Sequence, residues 1–330
     1  MIRRGEDLNF VKGSVFTIIS KGIMFLFSLF ISIYVARILG PEAKGMYYIL
    51  VQLVSIVVLF GMLGINNSAV YFLGKKNMPQ AELVTHILFL TILSSIVFFG
   101  FTMVSHNFLG KSILKGVPGQ YLLIMTFAIP PLMFNQIFLS LILGSNRIII
   151  YNVFEILCYF LLFLNFVIFV VWARFGIYGA YLGFVVTYLL MDCIYIVLFV
   201  KRIGLRIEWE RIKDIMHYAL RGFLAPICLL LVFKIDSFIL NIFSDIRQVG
   251  FYSIAVSFAE LLPFVPLAVG TVLFPKLASQ EGTLLNASIA RVIRVVLTFI
   301  LLLGLVFLAF GKWMVLFIYG NTYSSSVIPM

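Results

Sequence analysis

The chain has 330 residues, 63% of them apolar and only 11% charged, less than half the roughly 25% charged content of soluble domains. Aromatic residues make up 16%, with 35 Phe, so a water-soluble fold of this size is excluded, as is disorder, and three cysteines are too few for a disulfide scaffold. The formal net charge of +11 is scattered over many short polar segments. It reads as a topology signal, and nucleic acid is not an expected partner. What remains is an all-α polytopic membrane protein in a lipid bilayer.

No Asp, Glu, Lys or Arg occurs from Gly45 to Gly74, from Leu83 to Gly110, or from Gly116 to Asn146. Each gap exceeds the roughly 20 residues that carry a helix across the hydrocarbon. Nine spans are predicted, at about 13–36, 46–73, 83–106, 120–143, 148–172, 177–200, 218–243, 249–275 and 291–311. Arg3 and Arg4 precede a first span that contains Lys21 and is too long for a signal peptide. Pro130-Pro131 predicts a hinge in the fourth span. Between spans six and seven, Ile207, Ile212, Ile215 and Met216 alternate with Glu208, Glu210, Arg211, Lys213 and Asp214, which reads as an interfacial amphipathic lead-in. The domain reading is therefore a six-helix bundle over 1–200, a cytoplasmic linker over 201–217 and a second, partial bundle over 218–330. Lys and Arg fall about twice as often in the segments on the N-terminal side, which favours a cytoplasmic N-terminus. Arg37 and Lys44 are assigned to an outer loop. Cys158, Cys193 and Cys228 lie within spans as small apolar packers.

The chain repeats itself. Gly45-Met46-Tyr47 is matched by Gly250-Phe251-Tyr252, 205 residues on. At that offset Tyr48 meets Ser253, Gln52 meets Ser257, Ser55 meets Glu260 and Asn66 meets Thr271, all on one helical face. Span one maps onto span seven at 204, because the loop Gly40–Gly45 is one residue shorter than Ser244–Gly250, and Ser32 then meets Asp236. A unit of six spans makes the two copies parallel, one of the repeat arrangements of transporters. Two full copies require about 410 residues, so the sequence is expected to be a piece that stops near the start of a tenth span. A complete nine-span protein is the alternative.

Polar groups inside spans cost about 2.5–3.5 kcal/mol each when charged and usually face a bundle interior or a wet cavity. Span one carries Ser14, Thr17, Lys21, Ser28 and Ser32 in one stripe. Thr17, Lys21, Ser28, Gln52, Asn66, Arg221 and Ser257 are the candidate cavity residues. Lys21 and Arg221 suit contact with a phosphate and equally suit anchoring at the inner interface. Lys234 is read as pointing away from the face of Asp236, since residues two apart do not face each other. Asp236, Glu260, Glu155 and Asp192 are candidates for H⁺ or Na⁺ coupling or for gating. Each also reads as one half of a structural ion pair or hydrogen-bonded group. Tyr181, Tyr188 and Tyr195 share a face with Asp192 and either stack on sugar rings or, the favoured reading, satisfy Asp192 by hydrogen bonds. Pro263 and Pro266 follow Glu260 and predict a bend. The three histidines are far apart, and no metal or nucleotide motif is present. No cofactor beyond a coupling ion is expected.

Ala36-Arg37-Ile38-Leu39-Gly40-Pro41-Glu42-Ala43-Lys44-Gly45-Met46-Tyr47 resembles the span 1–2 signature of the polysaccharide and O-antigen flippase branch of the multidrug/oligosaccharidyl-lipid/polysaccharide flippase superfamily. Ile235-Asp236, Val249 to Ala255 and Phe274-Pro275-Lys276-Leu277 resemble its second-half signature. The resemblance implies a MATE-like fold of two bundles around a central cavity, with 12 to 14 helices in the complete protein. It further implies alternating-access export of an undecaprenyl-diphosphate-linked oligosaccharide for surface polysaccharide or lipopolysaccharide synthesis, in company with polymerase and export machinery. An ion-coupled multidrug exporter on the same fold is the alternative. A membrane-embedded glycan polymerase is disfavoured, because such enzymes carry large outer loops and no outer loop here is long; enzymatic activity is not expected.

Overall fold

In the computed structural model the described residues are 2–75, 79–199, 204, 208–260, 262 and 283–327. All regular structure among them is helical. Helix α1 (Ile2–Tyr34) runs into a π-helical turn, Val35–Leu39, and α2 is Gly40–Met62. The run Val15–Met62 is helical throughout, but it is not one rod. Gly40 has φ 82° and ψ 176°, a conformation that lacks steric cost only for glycine, and it reverses the chain between spans one and two. A second break at Leu63 and Gly64 separates α2 from α3 (Ile65–Lys75).

Helix α4 (Gln80–Ser112) is the third span. The fourth is split into α5 (Gly119–Thr126) and α6 (Ile129–Gly144), and Pro130-Pro131 fall in the first turn of α6. There the missing proline N–H groups cost nothing, because the first amides of a helix have no partner within it. Helix α7 (Ile148–Phe166) continues as a π-helical turn, Val167–Trp172, and α8 is Gly176–Phe199. The amphipathic stretch and the seventh span are one helix, α9 (Trp209–Phe243). Its first turns bury Ile212 and Ile215 against α3 and α4 and leave Glu210, Lys213 and Asp214 exposed. Helix α10 (Ile246–Ala259) covers the first part of the eighth span; Pro263, Pro266 and Thr271 lie outside the described residues. Helix α11 (Thr283–Tyr319) is the ninth, followed by a 3₁₀ segment, Asn321–Val327.

The main core runs from α2 to α10, with fully buried Ile49, Leu50, Met62, Ile65, Ile87, Met125 and Met191 joined by Ile215 and Val249. Outside it the helices are faced with exposed Leu, Ile, Val and Phe, as in Val104, Phe108, Val197 and Leu308. Such surfaces are stable in hydrocarbon, where apolar side chains lose nothing by exposure. The chain is a multi-pass membrane protein.

The two groups of helices meet most extensively where α2 crosses α10. Gly45 and Gly250 sit at the crossing. A β-carbon on Gly45 would overlap the Ile246 carbonyl oxygen, and one on Gly250 would overlap the Pro41 carbonyl oxygen. Pro41 and Ile246 are 205 residues apart, as are the two glycines. The crossing is thus a reciprocal contact between repeat partners, and only glycine permits that separation.

Candidate functional site

A cavity of about 390 Å³ lies beside this crossing. Helix α1 contributes Ser28 and Ser32; α2 contributes Lys44, Tyr47, Tyr48, Gln52 and Ser55. Gln136 comes from α6, Cys158 and Tyr159 from α7, and Tyr188 from α8. The other wall is Lys234 of α9 with Ser257 and Glu260 of α10. Both copies of the repeat therefore line one space. Gln52 and Ser55 face it together with their repeat partners, Ser257 and Glu260, because the glycine crossing sets the corresponding turns of α2 and α10 side by side.

The polar wall has its own bonding. Lys44, 5% exposed, donates to Ser32 Oγ at 2.8 Å, and Ser32 Oγ lies 3.1 Å from the Tyr319 hydroxyl of α11. Lys234 Nζ sits 3.7 Å from Glu260 Oε1. The ammonium groups thus enter from opposite walls, with Glu260 the sole carboxylate among the described lining residues. Tyr47, Tyr48, Tyr159 and Tyr188 add aromatic faces with a hydroxyl each.

The predicted residues fall into groups. Ser28, Gln52, Ser257 and Glu260 line the cavity. Lys21 does not: its ammonium donates to both Glu155 oxygens, at 2.9 and 3.1 Å, and ties α1 to α7. Thr17 accepts a hydrogen bond from Asn152 Nδ2 at 2.8 Å on the same seam. Lys21 finds its acid on another helix, which spacing within one helix does not reveal. Asn66 lies beyond the Leu63–Gly64 break, off the face of Gln52. Arg221 is exposed on α9, away from the cavity. Asp236 is held by the Ser237 backbone amide at 2.7 Å and by the Tyr252 hydroxyl. Asp236 and Lys234 are two residues apart, and the face turned to the cavity is that of Lys234. The two do point to different faces, as their spacing requires, but it is the face of Lys234, and not the face expected to carry Arg221 and Asp236, that lines the cavity.

Asp192 also departs from expectation. It is 9% exposed, and among the described residues its Oδ1 has no hydrogen-bond partner, nor have the hydroxyls of Tyr181 and Tyr195. The tyrosine rings are used for packing instead, Tyr181 on Tyr47 and Tyr195 on Phe138. Asn135, on α6 three residues before Phe138, has an unpartnered Nδ2 as well.

Lys44 is the cavity residue that the sequence conceals. Its place after Gly40-Pro41-Glu42 points to an outer loop, yet α2 begins at Gly40 and buries it. Its repeat partner is Val249, so the repeat carries no polar signal there. Arg37, likewise assigned to a loop, donates to the Phe317 and Ile318 carbonyls of α11 at 2.7 and 2.8 Å.

Residues 10–281 match the model of a family described as polysaccharide biosynthesis protein. No match is found among curated proteins. Among solved structures, a MATE described as in the straight conformation aligns with a TM-score of 0.67 at 17% identity, over 97% of this chain and 78% of its own. The MATE multidrug transporter DinF-BH aligns with a TM-score of 0.65 at 14% identity, over 81% of this chain. A mutant of the Vibrio cholerae MATE transporter VcmN aligns at 0.62 and 16% identity, over 98% of this chain and 76% of its own. This chain covers 64% of the DinF-BH chain, just under two thirds. The likeness shows the fold: two bundles of the MATE type.

Proposed function

The chain belongs to the polysaccharide biosynthesis protein family, and from that premise we propose that it is a flippase for an undecaprenyl-diphosphate-linked oligosaccharide, working by alternating access in a cell inner membrane with its N-terminus cytoplasmic. The need is physical. A diphosphate bearing sugars cannot enter hydrocarbon without a substitute for its hydration. Lys44 and Lys234 supply cationic donors, Ser28, Ser32, Gln52 and Ser257 supply neutral ones, and the tyrosines offer faces for sugar rings. A volume of about 390 Å³ suits the charged head of such a lipid, while the polyprenyl tail remains among the lipids. The glycan goes to surface polysaccharide, and polymerase and export machinery are the expected consumers.

The observation that carries this reading is the charge of the cavity wall: among its described residues, Lys44 and Lys234 stand against Glu260. The same balance disfavours the alternative, a multidrug exporter for cations. That alternative is retained because the similar solved structures are MATE transporters. Coupling to H⁺ or Na⁺ falls most naturally to Asp192, a buried carboxyl with one oxygen unpartnered among the described residues. Glu155 and Asp236 are already engaged, by Lys21 and Tyr252. Deletion of the gene in its host tests the reading. Lipid-linked glycan accumulating on the inner leaflet supports it, and drug hypersensitivity with normal glycan supports the exporter.

A further inference from the structure

Two helix C-termini at one end of the molecule are capped from the opposite bundle. Arg37, at the end of the first span, donates through Nε and Nη2 to the Ile318 and Phe317 carbonyls in the last turn of α11. Asn241, buried near the end of α9, donates through Nδ2 at 2.8 Å to the carbonyl of Ile113, the residue that closes α4. Arg37 and Asn241 are 204 residues apart, and Ile113 and Ile318 are 205 apart, which are the two offsets of the internal repeat. One cap is thus the symmetry mate of the other, although an arginine and an asparagine show no likeness in sequence. The last carbonyls of a helix have no partner within it, and a cation or amide donor there satisfies them.

Other bonds run across the same end. Lys115 Nζ donates to the Ile242 carbonyl at 2.9 Å, and the Tyr323 hydroxyl to the Ala36 carbonyl at 2.9 Å. The glycine crossing of α2 and α10 lies just beneath.

We infer that Arg37 and Asn241 form a two-point latch that holds the bundles shut at this end of the cavity, and that both caps must release for the cavity to open there. The latch rests on the proposed transport reading only for its purpose. Its existence is a statement about which bonds close the molecule. Both acceptors are helix-end carbonyls that water can satisfy once they are parted, so release leaves no buried orphan. A latch built this way holds the closed state without making the open state prohibitive.

Cys158 lines the cavity and reports on opening. With Cys193 and Cys228, both exposed, replaced by serine, Cys158 is labelled with a membrane-impermeant maleimide in oriented vesicles. The expected result is that Arg37→Gln and Asn241→Ala each raise labelling from the latch side by about tenfold, the value of one such hydrogen bond. Labelling from the other side stays unchanged. Arg174→Gln, a charge loss at the same end without a bond across the bundles, is expected to have no effect. A separate pair of spin labels, at Gln120→Cys and Asn321→Cys in a background with all three native cysteines replaced, gains a longer-distance population in the same variants. If Arg37→Gln fails to fold, the smaller Asn241→Ala carries the test. Unchanged labelling and distances, or a rise from both sides alike, overturn the latch. If the labelling and distance changes appear as expected but the unmodified protein moves no lipid-linked glycan, the latch stands and the transport reading falls.

Discussion

The crossing of α2 and α10 makes a quantitative prediction. A β-carbon on Gly45 overlaps the Ile246 carbonyl oxygen and stands 2.9 Å from the Gly250 nitrogen; one on Gly250 overlaps the Pro41 carbonyl oxygen and stands 2.9 Å from its carbon and 3.2 Å from the Gly45 nitrogen. Non-bonded heavy atoms settle at about 3.5–4.0 Å, so either substitution drives the helices apart by ~1 Å or more. The clash is with backbone, and no rotamer relieves it. Overpacking costs about 1–3 kcal/mol, occasionally more, and Gly45→Ala or Gly250→Ala is expected near the top, at ~3 kcal/mol. The same displacement relieves both clashes. The double variant is therefore expected to cost ~3–4 kcal/mol, a coupling of about 2–3 kcal/mol between the sites. Gly100, where an added β-carbon would meet nothing within 4 Å, is the control: Gly100→Ala is expected to be neutral or to stabilise by up to ~1 kcal/mol. Unfolding in mixed micelles, followed by the fluorescence of Trp172, Trp209 and Trp313, measures all four proteins. Additive costs for the two glycines, or a harmless single substitution, would refute the reciprocal crossing.

Three further outcomes follow from the site. Lys21→Ala leaves Glu155, 14% exposed, without its cation, so the loss is expected to exceed the ~1 kcal/mol ceiling of an exposed pair, and Lys21→Glu with Glu155→Lys restores abundance that either single exchange lowers. Asp192→Asn removes a buried carboxyl with an unpartnered oxygen and is expected to raise thermal stability, by up to ~2.5–3.5 kcal/mol if the group is ionised, while abolishing ion-driven transport; a fall in stability would show that Asp192 has a structural partner. Lys44→Met and Lys234→Met each remove a cavity cation and are expected to weaken binding of undecaprenyl diphosphate by about tenfold or more without weakening an uncharged polyprenol; equal effects on both ligands would count against phosphate contact.

The bilayer as solvent, the helical class, the approximate places of the spans and the repeat are legible without coordinates. These follow from local quantities: charge-free runs set span length, and an offset survives wherever the same helix face is used twice. That is why Gln52, Ser55, Ser257 and Glu260 are legible as one set from the residues alone, and why they share a cavity. Partners across helices belong to the tertiary structure. Lys21 has no acid on its own helix and pairs with Glu155, 134 residues away. Lys44 resembles a loop cation because its neighbours are Gly40, Pro41 and Glu42, but α2 starts there and carries it inside. The reciprocal caps of Arg37 and Asn241 are invisible in the sequence because their acceptors are main-chain carbonyls, which every residue has and no sequence records. Whether a polar side chain faces lipid, another helix or the cavity depends on how the helices rotate against one another, and that rotation is set by long-range packing such as the approach of Gly45 to Gly250.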